Sequence, residues 1–589
     1  MITKALGSAL AATLLPVTPT APTDLHECAS ATTRCDGSIA VPLDWDDPSS
    51  ERISVAFTWI PAKVPDGTVV ANLGGPLPAL PAVPEIQRIF GPVLERKNLL
   101  VMDPRGMGKS SPLLCPGAGL DKPETIAPCA RSVGPRGAYF TADQASHDLD
   151  AIRRALGLGK VGFYGNSYGT LYAQAYAARY PESLDAIFLD SSVIVNRDGY
   201  ASWKNHWSRL RQLDLVCGRS AACDALPGSA SGTWTRLVDR LRERPDAKVS
   251  VFQTLALSQV SEPVFGREVT AAADAYLRGD PAPLHRLARL IPATLPPATD
   301  PNFAGYLGFR CGDGTFPFDR LASAAERQAQ AEHYHERVRP LAPYQISDIF
   351  SGIGSVEPCI DWPTPRHSPP RPTGQALPAV PVLVMAGELD LNSPTEVARS
   401  LGAFPNATVV RVPFGPHALT YPASPIGECV RGMLRTFLTT KQVTDRHCTG
   451  ENYRALGAFP RTVGAVPPSP VRELSVAQRR VLAATFATAA DATARRNPNG
   501  NLYPRLQNEP GLRGGQVTFG RDITLDEVRF VRDLRVSGTI NLTPDGRATA
   551  TLRAETGGRA HEVTLAWTAF STRPSLSGTF DGIPFDRSK

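Results

Sequence analysis

The residues most suited to chemistry form the pentapeptide Gly165-Asn166-Ser167-Tyr168-Gly169. It follows the apolar run 161–164 and opens a helix-like stretch, 170–180. Glycines two before and two after the serine permit a turn too tight for side chains at those positions. Such a turn, between a strand and a helix, holds the serine oxygen clear of the backbone as a nucleophile. The bare pattern also occurs in glycine-rich surface turns, so a nucleophile requires partner residues elsewhere in the chain.

A serine nucleophile needs a histidine base and an acid that orients the histidine. Asp390 lies just past the apolar run 382–386, ahead of a turn at 392–394, and Glu388 is the competing acid. The turn and helix start beyond Asp390 favour it over Glu388.

His417 follows the predicted strand 409–414 through Gly415-Pro416. Ser167, Asp390 and His417 would thus stand at the carboxyl ends of three strands, in the chain order serine, acid, histidine. That order is the one found in α/β-hydrolases.

The negative charge that develops on a substrate carbonyl oxygen needs backbone N–H donors. One donor would be Tyr168, the residue after the nucleophile. The other would be Gly75, in the sequence Asn72-Leu73-Gly74-Gly75-Pro76 that follows an early predicted strand. The alternative for this second segment is a simple Gly-Gly-Pro turn.

Alternation of strand-like and helix-like segments over 50–190 predicts a doubly wound, mostly parallel sheet of the α/β class. From about 193 to 375 the pattern is mostly helical, which predicts a cap inserted between two strands of the sheet. Strand signals resume at Val382–Ala386 and Ala407–Val412. Beyond 470 an alanine-rich helix, 475–496, precedes β-rich sequence, which predicts a separate helix-and-β appendage. The predicted divisions are 22–192 and 376–470 for the hydrolase core, 193–375 for the helical cap and 471–589 for the accessory domain.

The bulk composition is that of a soluble globular protein of 589 residues, with 42% hydrophobic and 20% charged residues and a net charge of +6. No concentrated Lys/Arg stripe is present, so a nucleic-acid partner is not expected. Residues 1–21 have the pattern of a secretory signal, with Lys4 ahead of a short apolar run that is too short to span a bilayer. We therefore expect an exported protein with no stable membrane span.

Ten cysteines support export, because disulfides persist in oxidising compartments. They fall in neighbouring pairs, which suggests five local disulfides, although spacing alone leaves other pairings open. The suggested pairs are Cys28/Cys35, Cys115/Cys129, Cys217/Cys223, Cys311/Cys359 and Cys429/Cys448.

No cofactor or metal is predicted. Gly106-Met107-Gly108-Lys109-Ser110 resembles the end of a phosphate-binding loop, but Asp103 stands where that motif needs its first glycine. A turn beside the active site, in which Asp103 or Arg105 ties loops together, is favoured instead. The spacing of the cysteines offers no C-x-x-C zinc motif.

Taken together, several motifs resemble those of the secreted tripeptidyl aminopeptidases, serine peptidases related to proline iminopeptidase. The resemblance covers about residues 30–450. It implies an α/β-hydrolase core with a helical cap and release of short peptides from a free N-terminus. One departure stands out: the family's Gly-Gly-Pro-Gly-Gly-Ser-Gly loop reads Gly74-Gly75-Pro76-Leu77-Pro78-Ala79 here. The matching segments are Gly74–Pro76, Asp103–Ser110, Gly165–Thr170, Cys311–Asp313, Cys359–Pro363, Gly387–Asp390 with Ser393-Pro394, and His417.

An aminopeptidase also needs a carboxylate for the substrate's ammonium group. Asp313 is the candidate, with a structural salt bridge as the alternative. The expected function is that of a serine hydrolase acting on a peptide or small acyl substrate, most simply as an aminopeptidase. A carboxylesterase or lactone hydrolase with the same three residues is the second interpretation, and a non-catalytic binding protein the third. Oligomeric state is not predicted.

Overall fold

The computed structural model describes most of the chain, and the predicted signal segment 1–21 lies outside the described part. The described residues are 28–119, 122–193, 206–292, 300–349, 358–365, 369–372, 374–394, 404–443, 447–448, 453–496, 506–571 and 575–586.

The first sheet has eight strands in the order β1-β2-β4-β3-β5-β6-β7-β8. The pairs β1–β2 and β2–β4 are antiparallel, and every other pair is parallel. The carboxyl ends of β5, β7 and β8 therefore meet at one edge, as in other open α/β sheets. The strands are β1 (Cys35–Pro42), β2 (Arg52–Ile60), β3 (Thr68–Asn72), β4 (Asn98–Met102), β5 (Val161–Asn166), β6 (Leu184–Asp190), β7 (Val382–Gly387) and β8 (Ala407–Val412).

Helices cover both faces of this sheet, which explains why its central strands are continuous apolar runs. Helices α1 (Val83–Phe90) and α14 (Pro425–Thr440) pack on one face. Helices α2 (Ile126–Val133), α3 (Ala142–Ala155) and α4 (Tyr168–Arg179) pack on the other. The predicted α/β class and the mostly parallel, doubly wound sheet are confirmed. The sequence did not reveal β1, whose residues Cys-Asp-Gly-Ser lack the apolar alternation of a strand.

The described part of the segment between β6 and β7 contains nine helices, and its assignment as a cap stays a prediction. One of its helices, α11, behaves differently, because Leu307 and Phe309 pack with Phe140 and Trp362 in the cluster of the hydrolase core. The predicted cap range 193–375 is thus not one packing unit. The helices are α5 (His206–Gly218), α6 (Ala221–Asp224), α7 (Ala230–Glu243), α8 (Val251–Leu257), α9 (Pro263–Leu277), α10 (Ala282–Ala288), α11 (Phe303–Asp313), α12 (Ala324–Val338) and α13 (Ile346–Ile349).

Short 3₁₀ turns occur in the connections of the chain. They are Leu80–Ala82, Gly91–Glu95, Pro123–Thr125, Gly134–Tyr139, Pro181–Ser183 and Val463–Ala465.

The C-terminal region consists of helix α15 (Val476–Ala494) and a second eight-stranded sheet. Ser475 caps the helix through a reciprocal pair of hydrogen bonds with Gln478. Each strand of the sheet pairs antiparallel with its neighbour in sequence. The predicted helix followed by β-rich sequence is confirmed. The strands are β9 (Asn508–Pro510), β10 (Gln516–Phe519), β11 (Ile523–Val528), β12 (Arg535–Leu542), β13 (Arg547–Thr556), β14 (Arg559–Thr568), β15 (Leu576–Phe580) and β16 (Ile583–Asp586).

The C-terminal region shares one apolar cluster with the cap. Cap residues such as Leu237 and Leu287 belong to the same buried cluster as Leu482 of α15 and Val536 of β12. Alternate side chains of β13 are buried and exposed, so one face of the sheet points into this cluster. The second region is therefore packed against the hydrolase rather than tethered to it.

All five suggested disulfides are present: Cys28–Cys35, Cys115–Cys129, Cys217–Cys223, Cys311–Cys359 and Cys429–Cys448. Among the helices described above, none is both long enough and apolar enough to cross a membrane.

Candidate active site

Ser167 occupies a sharp turn between β5 and α4. Its backbone has φ 51° and ψ −122°, a conformation that costs energy for a residue with a side chain. The flanking glycines are required by close approach: a Cβ at Gly165 would lie 2.5 Å from the Gly169 carbonyl oxygen, and one at Gly169 would lie 2.2 Å from the Asn72 oxygen. The local sequence thus forces the serine side chain out at the carboxyl edge of the sheet.

The structure brings His417 and Asp390 to Ser167 in one hydrogen-bonded row. Nε2 of His417 lies 2.8 Å from Oγ of Ser167. Nδ1 of His417 lies 2.8 Å from Oδ2 and 3.0 Å from Oδ1 of Asp390. The three residues sit in the loops that follow β5, β7 and β8, where the sequence predicted them.

The Asp390 carboxylate is fully buried and held by several donors. The backbone amides of Asn392 and Ser393 donate to Oδ1, at 2.8 and 2.9 Å. Oγ of Ser393 lies 2.9 Å from Oδ2. Donors on both oxygens keep the carboxylate oriented towards the imidazole.

Asp190, at the end of β6, holds the histidine loop and was not predicted from the sequence. It accepts hydrogen bonds from the amides of Leu419 and Thr420, at 3.0 and 2.9 Å, and from Nδ2 of Asn166 at 2.8 Å. The loop after His417 is thereby fixed to the strand next to the serine. Its position at a strand end was the signal that could have revealed it.

The pKa of His417 lies above its usual value. Burial by itself would lower this pKa, but the charge of Asp390 and the hydrogen bond to it raise the pKa further than burial lowers it. The charged form of His417 is thus stabilised by Asp390.

Glu388, the competing acid, is held elsewhere. Its two oxygens pair with Arg219 at 2.7 Å each, and one also pairs with Arg411 at 2.6 Å. The amide of Phe414 donates to it at 3.0 Å. Burial raises the pKa of Glu388, yet Arg219 and these other partners bring the net pKa below its usual value. Glu388 thus joins the cap to the loop after β8 as an ion-pair partner.

The two predicted oxyanion donors lie on adjoining segments. A Cβ at Gly74 would stand only 2.8 Å from the Tyr168 nitrogen, so the glycine turn abuts the amide that follows Ser167. The Gly74 amide is used internally, donating to Oδ1 of Asn72 at 3.0 Å. Within the described part of the chain, neither the Gly75 nor the Tyr168 amide donates a hydrogen bond. Their role as donors to a substrate oxygen stays a prediction.

Asp103 holds the end of the loop 74–79, which departs from the family pattern. Its Oδ1 accepts from the amide of Leu80 at 2.8 Å, and its Oδ2 accepts from the amide of Lys109 at 2.9 Å. Arg105 is buried and pairs with Asp148 of α3. Both residues tie loops together beside the site, as predicted for the segment that resembles a phosphate-binding loop. Leu77, in contrast, is 46% exposed beside Gly75.

Asp313 lies behind Tyr168. Its carboxylate accepts hydrogen bonds from the Tyr168 hydroxyl and from the amide of Ala142, at the start of α3. The Ala142 nitrogen lies 2.9 Å from Oδ1 and 3.1 Å from Oδ2 of Asp313. Burial raises its pKa to about 7, against the lowering effect of these hydrogen bonds. The alternative to amine binding was a salt bridge, but the contacts found for this carboxylate are hydrogen bonds to neutral groups. Its role as an amine acceptor stays a prediction.

Arg310, also on α11, was missed by the sequence analysis. Its Nη2 donates to the Gly75 carbonyl oxygen at 3.3 Å, and its guanidinium lies 5.7 Å from the centre of the Tyr168 ring. Helix α11 thus touches both predicted oxyanion segments. The neighbouring Cys311-Gly312-Asp313 motif was the sequence signal that pointed to this helix.

Two family models match separate segments of the chain. A family model described as alpha/beta hydrolase fold matches residues 77–216, which include Ser167, and a model described as TAP-like protein matches residues 350–449, which include Asp390 and His417. With the strand order of the first sheet, these matches show an α/β-hydrolase fold, and the named relatives support a serine hydrolase.

Relatives with known names support a peptidase family. The chain is 27% identical over 424 residues to Serine protease Hip1 of Mycobacterium tuberculosis, covering 61% of this chain and 76% of that protein. It is 24% identical over 471 residues to Tripeptidyl aminopeptidase of Streptomyces lividans, covering 70% and 83%. Carboxylesterase B of Mycobacterium tuberculosis is 25% identical over 427 residues, covering 63% and 79%.

Among solved structures, proline iminopeptidase of Mycobacterium smegmatis matches with 15% identity and a TM-score of 0.32, covering 68% of this chain and 98% of that one. A likeness at this TM-score carries no argument about function.

Proposed function

We propose that the protein is an exported serine aminopeptidase that releases short peptides from free N-termini. The observation that carries the proposal is the row Ser167–His417–Asp390, with 2.8 Å at each step and both outer residues in strand-end loops. The peptidase class is supported by the relatives named as a serine protease and a tripeptidyl aminopeptidase. Export is supported by the five disulfides, which persist in oxidising compartments.

In the proposed mechanism, His417 takes the Ser167 proton as the serine oxygen attacks the substrate carbonyl. Asp390 holds the imidazole in the tautomer whose Nε2 accepts that proton, and it stabilises the resulting imidazolium. The amides of Tyr168 and Gly75 donate to the oxygen that becomes negative. His417 then protonates the leaving amine, which leaves an acyl-Ser167 intermediate. In the second half of the reaction His417 takes a proton from water as the water attacks the acyl carbonyl, and it returns that proton to the Ser167 oxygen as the peptide leaves.

The second candidate is a carboxylesterase with the same three residues. Leu77, which is exposed, and Pro78 stand where the family's loop has two glycines after Gly-Gly-Pro, and these bulkier residues would change the shape of the acyl site. The relative named carboxylesterase B supports this alternative.

A fluorophosphonate probe tests the serine chemistry. Wild type should be labelled and Ser167→Ala should not, because the probe reacts with an activated serine. Removing a member of such a triad slows turnover by about 10⁴- to 10⁶-fold. A wild-type protein that fails to react would refute both enzymatic interpretations.

Paired substrates separate the peptidase from the esterase. We expect cleavage of tripeptide anilides with a free N-terminus and little cleavage of their acetylated forms. Turnover of p-nitrophenyl esters with neither anilide cleaved would favour the esterase. Equal cleavage of free and acetylated peptides would refute recognition of the amine.

A further inference from the structure

The positive charge of this chain is concentrated in its C-terminal region. Residues 471–589 contain 17 Lys and Arg against 12 Asp and Glu, so they carry five of the six net charges. This region contains none of the residues assigned to catalysis above. Its charge therefore calls for a separate explanation.

Much of this charge surrounds one cavity of about 470 Å³ at the end of the second sheet. The connection between β11 and β12 forms one wall, and the hairpin between β13 and β14 forms the other. The register pairs Arg535 with Glu555 and Thr556 with Arg559, so the two walls are held side by side by the ladder. The arginines that line the cavity are Arg529, Arg532, Arg535, Arg553 and Arg559.

The acidic residues of the cavity do not balance these five guanidinium groups. Its lining contains two carboxylates, Asp533 and Glu555. Glu555 is shared, since Nη2 of Arg535 lies 2.9 Å from one of its oxygens and Nε of Arg553 lies 2.8 Å from the other. Glu527 adds only a 3.5 Å contact to Arg535 at the rim.

Two details leave the remaining charge available. Oδ1 of Asp533 accepts a hydrogen bond from the Val463 amide, so one oxygen of this carboxylate is bonded to a group other than the five arginines of the cavity. Nε of Arg529 is buried and has no hydrogen-bond partner within the described residues. The hairpin tip is Gly557-Gly558, both with positive φ, and a Cβ on either would meet open space. The cavity thus combines unmatched arginine charge with an unobstructed entrance.

We propose that this cavity, the arginine site, binds a phosphate-bearing ligand. The planar guanidinium group offers paired N–H donors that match the oxygens of phosphate, and several such groups around one cavity favour a dianion. The volume suits a phosphorylated group of about the size of a sugar. Two sources share this chemistry: a small phosphomonoester and a chain of linked phosphates.

Isothermal titration of the full-length protein tests the site. The probes are inorganic phosphate, glucose 6-phosphate and a short polyphosphate, and wild type should bind at least one of them. Arg532→Gln with Arg559→Gln should weaken that binding by about tenfold or more, because two donors to the anion are lost. Both side chains are exposed, so the double variant should keep the melting temperature of wild type.

Arg547→Gln is the matched control. It removes the same charge from the opposite end of β13, where Arg547 is 79% exposed and pairs only with Asp545 among the described residues. The proposal requires that this variant bind as wild type does. It is overturned if no probe binds, or if Arg547→Gln weakens binding as much as the double variant does.

The size of the preferred probe identifies the source of the phosphate. Tighter binding of glucose 6-phosphate indicates a monoester, and tighter binding of polyphosphate indicates a polymer. Fluorophosphonate labelling of Ser167 is measured in parallel, so loss of the proposed peptidase chemistry is recorded independently of phosphate binding.

Discussion

At the scale of single residues, the site depends on charges that are buried together with their partners. Asp390 is fully buried, yet amides of the following turn and the imidazole of His417 satisfy its oxygens. Glu388 stands only two positions before Asp390 in the sequence, but its carboxylate pairs with Arg219 and Arg411 instead of with His417. Two carboxylates two positions apart therefore have different roles because their partners differ.

The raised pKa of His417 predicts the pH dependence of the reaction. In the proposed mechanism His417 acts as a base and must be neutral, so kcat/KM should fall as the pH drops through its pKa. The acid limb should lie above the usual histidine value of about 6.5. Asp390→Asn should move the limb down, since the charge that raises the pKa is lost, and should lower kcat by about 10⁴-fold. A pH–rate profile with an unshifted limb in the variant would contradict this assignment.

Gly74 is the second residue-scale prediction. Gly74→Ala would place a methyl group 2.4 Å from the Asn166 oxygen and 2.8 Å from the Tyr168 nitrogen, at φ +84°. Displacement of either oxyanion segment should lower kcat by about 10²- to 10³-fold.

Gly157→Ala is the control for that variant. It has a similar φ, +66°, but its added Cβ meets nothing within 4 Å. It should show wild-type kinetics, and an equal loss in both variants would mean that backbone strain alone is responsible.

At the scale of elements, a buried ionic network links the cap to α15. Asp491 of α15 pairs with Arg286 of α10 at 2.6 Å, and Arg286 also pairs with Glu268 of α9 at 3.0 Å. Arg495 joins Glu268 to Glu509 of β9. Burial raises the pKa of Asp491, but Arg286 and Arg495 lower it by more, so the net pKa is below its usual value.

Asp491→Asn should destabilise the fold by about 3 to 5 kcal/mol, because Arg286 would keep a buried charge without its full partner. The difference should be present at neutral pH and shrink in strong acid, since the contribution of a carboxyl with a lowered pKa is lost as pH falls through that pKa. Urea denaturation at several pH values measures it. Asp239→Asn, which breaks an exposed pair with Arg242, should change stability little. A similar small effect for Asp491→Asn would argue against the network.

At the scale of the whole molecule, the C-terminal region shares its apolar cluster with the cap. The same cluster includes Leu389, next to Asp390 in the loop after β7, and Phe414, in the loop after β8. The Phe414 amide donates a hydrogen bond to Glu388. Packing of the second sheet is thus continuous with the acid and histidine loops. We infer that folding of the C-terminal region stabilises the cap.

Truncation tests this inference. A chain ending at residue 470 would expose the cap's share of the cluster to water, so it should aggregate and lose fluorophosphonate labelling. Light scattering and labelling measure the two effects. A soluble, monomeric truncated protein that still reacts would show that the C-terminal region is dispensable for the fold.

The site could be predicted well from the sequence where its signals are local. Ser167 lies between glycines that only a tight turn requires, and Asp390 and His417 each follow an apolar strand. Strand periodicity and turn residues depend on near neighbours, so they are legible in a single chain. The same holds for the ten cysteines, whose close spacing suggested the five pairs that formed.

Other features depend on residues far apart in the chain, and only the tertiary structure decided them. Asp313 and Tyr168 are 145 positions apart, and Asp491 and Arg286 are 205 positions apart. Glu388 pairs with Arg219, which is 169 positions away in the chain. Burial and ion pairing arise from packing between distant segments, so no local pattern encodes them. The sequence determined which residues could do chemistry, and the fold decided which of them meet.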